Sequence, residues 1–206
     1  MAPDDLHSVY GRVLGSHLPH ILDEVGALLP IGVKKFNEVM DIRLHRCYTH
    51  HKPNDLRLPA SATFFSTRYP TPNYEWKAIL QVLPMLLAGL FKVGGRDVLV
   101  EWAVALADWV EATFYPPDGV HSDSTLSRSD DLLFDFELKS DAIAGLQASR
   151  WNIRKFHELA LFSSRVRMFG SHRWYSTERG ERNHHWVKIW WDSMNGRDIE
   201  RGLFTQ

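Results

Sequence analysis

Apolar positions recur at three- and four-residue steps along most of the chain, the pattern of helices that each bury one face. Val9, Val13, Leu14, Leu18, Ile21, Leu22, Val25, Leu28 and Leu29 lie on one such stripe. They predict a long amphipathic helix, interrupted near Gly15 or at Pro19, where a backbone donor is missing. Val33, Phe36, Val39 and Met40 predict a second, shorter helix. From His45 to Asn73 the period lapses and Pro53, Pro59, Pro70 and Pro72 appear. This composition predicts an irregular, loop-rich segment over 45–73, with a short extended piece near Ala62 to Phe65.

Periodicity then returns. Trp76, Ile79, Leu80, Leu83, Leu86, Leu87 and Leu90 predict a helix apolar nearly all round, hence central, kinked at Pro84 and ended by Gly94-Gly95. Val98, Leu99, Trp102, Leu106, Trp109, Val110 and Phe114 predict the next, stopped by Pro116-Pro117. Ser122 or Ser124 is placed to cap a helix carrying Leu126, Leu133, Phe136 and Ile143. Ile153, Phe156, Leu159, Ala160 and Val166 mark another, closed by Gly170. A last one runs from Glu178 or Glu181 through Trp186, Ile189 and Trp190 to Asn195-Gly196. The fold expected over 1–206 is a mainly α, single-domain bundle of six to eight helices.

Composition supports a folded domain and narrows its setting. The 206 residues are 44% hydrophobic and 12% aromatic, enough to build a core. Cys47 is the single cysteine, so there is no intramolecular disulfide framework. The N-terminus lacks the basic and apolar regions of a secretory signal. The apolar run from Ile79 to Phe91 falls short of the roughly 20 residues that span a bilayer. An intracellular protein, nuclear or cytoplasmic, with no membrane partner is expected. The net charge of -1 conceals an asymmetry. Residues 150–206 hold eleven Lys or Arg against six Asp or Glu, while 1–149 hold thirteen against nineteen.

Chemistry-bearing residues cluster toward the two ends. Asp4-x-x-His7 and Glu181-x-x-His184 share a spacing that sets a carboxylate and an imidazole on one helix face, within reach of one metal ion. Helical bundles hold paired metals with such motifs on different helices, and Glu178, three residues before Glu181, adds one more acid to the face of Glu181 and His184. Surface ion pairs are the competing reading. His17-x-x-His20 and Cys47-x-x-His50 lack the remaining ligands of a zinc site, and His157 fits a core histidine. The run Asp130-Asp131-Leu132-Leu133-Phe134-Asp135-Phe136-Glu137 reads as a surface helix with its acids solvated. Arg165, Arg167, Arg173, Arg179 and Arg182, interleaved with Phe169, Trp174 and Tyr175, suit phosphates and unstacked bases, or form an ordinary basic face. Phosphate-binding glycine loops, nucleophile elbows and dinucleotide fingerprints are missing.

Three segments together, Asn152-Ile-Arg-Lys-Phe-His157, Arg167-Met-Phe-Gly170 and Tyr175-Ser-Thr-Glu178-Arg-Gly-Glu181-Arg182-Asn-His184, resemble the C-terminal part of Plavaka-group transposases. These are CACTA-related transposases abundant in mushroom-forming fungi. Arg57-Leu-Pro59, Tyr74 to Ile79, Val82-Leu-Pro84 and His121-Ser-Asp-Ser-Thr-Leu126 are similar to the middle of that region, and Asp4-Asp-Leu-His7 with Gly11, Gly15 and His17 to its start. Arg154 replaces a usual proline and Leu161 a usual histidine. The resemblance implies descent from an RNase H-like nuclease without its leading strands. Glu178 or Glu181 would then be its third metal-binding acid, with Asp4 and His7 a structural or ligating pair nearby. Complete two-metal transposase chemistry is not expected, because one acid cannot hold both ions.

Two functions follow as expectations. One is a transposase-derived helical domain that binds DNA through Arg165, Arg167, Arg173, Arg179 and Arg182, or binds a partner. The other is a recruited metalloenzyme for a small molecule. Asp4, His7, Glu178, Glu181 and His184 would hold Mg²⁺, Mn²⁺ or Fe²⁺, with Glu178, Glu181 and His184 catalytic and Trp174, Tyr175, Trp186 and Trp190 walling the pocket. The sequence leaves the oligomeric state open.

Overall fold

The computed structural model describes residues 14–15, 18–50, 63–67, 73–144 and 159–170. Within them the chain forms seven α-helices: α1 Leu18–Leu28, α2 Gly32–His50, α3 Phe64–Thr67, α4 Asn73–Leu87, α5 Val98–Phe114, α6 Asp123–Ala144 and α7 Phe162–Phe169. The mainly α reading therefore holds. The described residues contain no strand, and their one isolated bridge joins Val93 to Arg96.

Helix α5 is the centre because its sequence is apolar on more than one side. Leu99, Trp102, Ala103, Ala105, Leu106, Trp109, Val110 and Phe114 are all buried. It packs most extensively on α6 and also on α4, while α2 joins α1 to α3 and α4. Trp109 lies nearly parallel to Phe136 of α6, with ring centroids 6.1 Å apart, and meets Phe114 edge-on. Trp102 Nε1 donates to Ser140 Oγ at 3.1 Å, and Ser140 Oγ donates to the Phe136 carbonyl at 2.7 Å. A polar pair thereby serves a buried indole at little cost, because each donor has an acceptor. Burying large aromatics of this kind contributes roughly 2–3 kcal/mol each before ordering entropy is subtracted.

Several boundaries differ from expectation, each for a physical reason. The first helix starts, among the described residues, at Leu18, and Pro19 sits in its first turn, where the missing N–H costs nothing. The second helix continues to His50, into the segment expected to be irregular. Its later turns gain a tertiary anchor: Arg43 Nη1 donates to the carbonyls of Leu86 and Ala88 at 2.8 and 2.7 Å. These bonds also satisfy the C-terminal carbonyls of α4. The extended piece expected near Ala62 to Phe65 is instead the helical turn α3. Phe65 N and Ser66 N both donate to the buried Asp41 carboxylate, at 2.6 and 3.1 Å, and this holds the turn helical.

Helix α4 ends at Leu87, before Gly94-Gly95. Both glycines have positive φ, +56° and +84°, and form the two-residue turn of the Val93–Arg96 bridge. That conformation suits a tight hairpin turn rather than a helix stop. Asp97, just before α5, accepts from Gly89 N at 2.5 Å and ties the two helix ends together. Helix α5 has the expected bounds, with Pro116 and Pro117 directly after its C-cap Tyr115.

Candidate functional site

The best-connected polar cluster among the described residues lies where the end of α5, the start of α6 and α7 converge. Ser122 caps α6. Its Oγ accepts from Thr125 N at 3.3 Å, while Thr125 Oγ1 accepts from Ser122 N at 2.8 Å. This is a reciprocal capping box with threonine in the place usually taken by glutamate. The cap settles the choice between Ser122 and Ser124, for Ser124 Oγ contacts only Ser122 Oγ at 2.8 Å.

His121 precedes the cap and reaches both ways. Its Nε2 lies 2.9 Å from the Thr113 carbonyl and its Nδ1 3.3 Å from Thr125 Oγ1. A carbonyl only accepts, so Nε2 carries the hydrogen and the neutral ring offers Nδ1 as acceptor. The ring meets Phe162 of α7 at 5.7 Å, nearly edge-on. Burial pushes the His121 pKa below its ordinary value, against the weaker opposing effect of the Thr113 hydrogen bond.

Helix α7 is bound to α6 by a ladder of polar contacts. Ser163, buried, donates from Oγ to Asp130 Oδ1 at 2.5 Å, with the Leu126 carbonyl 3.4 Å away. Arg167 Nε donates to Asp123 Oδ1 at 3.4 Å. Beneath them Thr113 Oγ1 and Ser129 Oγ, both buried, lie 2.6 Å apart. Phe162 fills the space under the ladder against Phe114, ring centroids 5.2 Å apart. The acidic run of α6 is indeed an amphipathic surface helix, with Leu133 and Phe136 buried. Asp130 has the added task of holding Ser163.

Arg165 and Arg167 are the two expected nucleic-acid residues within the described region. Two positions along a helix are about 200° apart, so these side chains leave opposite flanks of α7. Between them Met168, 72% exposed, faces outward, while Val166 is buried beneath. Arg173, Arg179 and Arg182 lie outside the described residues. So do Asp4, His7, Glu178, Glu181 and His184, and the expected pocket residues Trp174, Tyr175, Trp186 and Trp190. Among the described residues no group of three or more His, Cys, Asp or Glu is placed to hold a metal. Cys47 is half-buried and burial pushes its thiol pKa up, which keeps it protonated. No described helix is long and apolar enough to cross a membrane.

The His121 cluster was not picked out from side-chain spacing. The available signal was Ser122-x-x-Thr125 ahead of an apolar stripe, which marks a helix start, whereas the carbonyl and ring that His121 meets come from α5 and α7. In comparisons with known proteins, the chain matches no protein-family model, no curated protein and no solved structure.

Proposed function

We propose that the chain is a transposase-derived helical domain that retains contacts to DNA, with α7 at the edge of the contact surface. The observation that carries this reading is the placement of Arg165 and Arg167 on either flank of the outward Met168. Two guanidiniums in that arrangement can reach phosphates on both sides of a helix laid along a backbone groove. The charge asymmetry of the sequence supports it, since α7 opens the positively charged quarter of the chain. Asp123 competes for Arg167, but that pair is highly exposed and 3.4 Å long, so phosphate displaces it at little cost.

The test is duplex DNA binding followed by fluorescence anisotropy across a salt series. Affinity is expected to fall linearly with log salt, and loss of each phosphate contact should reduce the slope by about 0.9. Arg165→Glu with Arg167→Glu should abolish binding, while Asp123→Asn, which frees Arg167, should strengthen it. Binding that ignores salt, or that survives the double reversal, rejects the proposal.

The shared spacing of Asp4-x-x-His7 and Glu181-x-x-His184 supports a second reading, a recruited metalloenzyme acting on a small molecule. It requires stoichiometric Mg²⁺, Mn²⁺ or Fe²⁺ in the purified protein, lost in both Glu181→Ala and His184→Ala. Metal content unchanged by both substitutions would sink it.

A further inference from the structure

The outward face of α6 carries two exposed apolar side chains. Phe134 and Leu138 are 62% and 53% exposed. Four positions apart, they lie one above the other on a single face. Around them stand the exposed Asp131 and Asp141 and the half-buried Glu137, with Asp130, already held by Ser163, toward α7, while Leu133, Phe136, Ser140 and Ile143 occupy the opposite, buried side. Helix α6 carries six acids against two bases over its 22 residues, and one of those bases, Lys139, is already paired to Asp135. The result is a pair of apolar anchors with an acidic rim, raised on a helix whose inner face is fixed to α5.

An exposed apolar pair with a charged rim has the layout of a small protein interface, in which central anchors supply affinity and the rim supplies orientation. The sign of the rim selects the occupant. DNA is repelled from a face with this excess of carboxylates, and another acidic helix is repelled equally. A helix with apolar residues at i and i+4, flanked by lysine or arginine, would cover both anchors and pair the acids. We propose that this face of α6 docks a basic amphipathic helix of a partner protein.

The probe is a fluorescein-labelled synthetic peptide of leucine and lysine, with leucines at i, i+3, i+4 and i+7, titrated with the full chain. A peptide of identical composition, scrambled so that no leucine face forms, is the reference. Binding at least tenfold tighter for the amphipathic peptide is expected. Phe134→Ser with Leu138→Ser should erase that preference, and Asp131→Asn with Asp141→Asn should weaken binding several-fold and flatten its salt dependence. All four positions are exposed, and unchanged far-UV circular dichroism and melting temperature verify that the variants fold. Equal binding of the two peptides, or no effect of the Phe134 and Leu138 substitutions, overturns the proposal. Sedimentation of the chain alone is the companion measurement. Self-association abolished by Phe134→Ser and Leu138→Ser would make a second copy the occupant and overturn the foreign-helix assignment. Loss of duplex DNA binding in the same variant would assign the face to nucleic acid and overturn it too.

Discussion

His121 donates from Nε2 to the main-chain carbonyl of Thr113 at 2.9 Å, joining the residue before the α6 cap to the last turn of α5. The carbonyl is one of those a helix leaves unpaired at its C-terminus, so the imidazole acts as a cap between helices. Burial favours the neutral ring, and the folded-state pKa is therefore below the ordinary value of 6.5. A depressed folded value means the unfolded chain takes up the proton first as pH falls. The stability contributed by neutral His121 is fully present above about pH 6.5 and is lost as pH drops below that toward the folded value. In urea unfolding followed by tryptophan fluorescence, the midpoint should fall on acidification through this window. His121→Gln should lower stability at neutral pH by about 1 kcal/mol and give a flatter pH profile than the wild type. An unchanged profile would show that His121 does not couple folding to protonation.

Asp41 is buried on α2 and accepts three hydrogen bonds from α3: Phe65 N at 2.6 Å, Ser66 N at 3.1 Å and Ser66 Oγ at 2.5 Å. Removing the acceptor strands two backbone donors that otherwise have a charged partner. Hydrogen bonds to charged groups contribute roughly 1.5–3 kcal/mol, so Asp41→Ala should cost about 2–3 kcal/mol in denaturant unfolding. Asp41→Asn should cost nearly as much, because one of its two terminal atoms becomes a donor facing donors. A small effect of both would mean that α3 contributes little to the folded state.

Gly26 on α1 faces the backbone of α2 at close quarters. A Cβ at this position would stand 2.9 Å from Val33 Cα and 3.2 Å from Phe36 Cβ. Neither neighbour is the far end of a flexible side chain, so the helices would have to separate. Gly26→Ala gains helix propensity of about 1 kcal/mol and meets an overpacking cost of about 1–3 kcal/mol. The expected net result is a lower thermal midpoint, and Gly26→Val should be clearly worse. Stabilisation by alanine would show that the α1–α2 contact can yield.

Legibility in the sequence tracked the amount of apolar periodicity. Helix α5 was bounded from sequence because its stripe is unbroken and two prolines follow it. In α2 the later turns, Leu44 to His50, carry few apolar residues, so the period faded although the helix did not. What sustains it there is Arg43 on the carbonyls of α4 and Leu44 in the core, partners distant in sequence. Phe64 and Phe65, read as part of an extended piece, are drawn into a helical turn by Asp41 and by the edge-on contact of Phe64 with Trp76. The basic stretch was legible as composition, whereas the opposed directions of Arg165 and Arg167 and the tether of Arg167 to Asp123 were not.

By itself the sequence determined that the chain is helical, which faces of its helices are apolar, and that its positive charge is gathered toward the C-terminal end. Those are local properties, set by the three- and four-residue recurrence of side chains along one segment. Only the tertiary structure decided that Gly94-Gly95 makes a hairpin turn, that Trp102 and Ser140 share a hydrogen bond, and that His121 spans three helices. It also decided which apolar residues remain outside: Phe134 reads like its buried neighbour Phe136, and nothing but the docking of α6 on α5 distinguishes them. A single helix turns both positions into the same kind of residue; the partner helix, by burying one face, leaves the other in solvent.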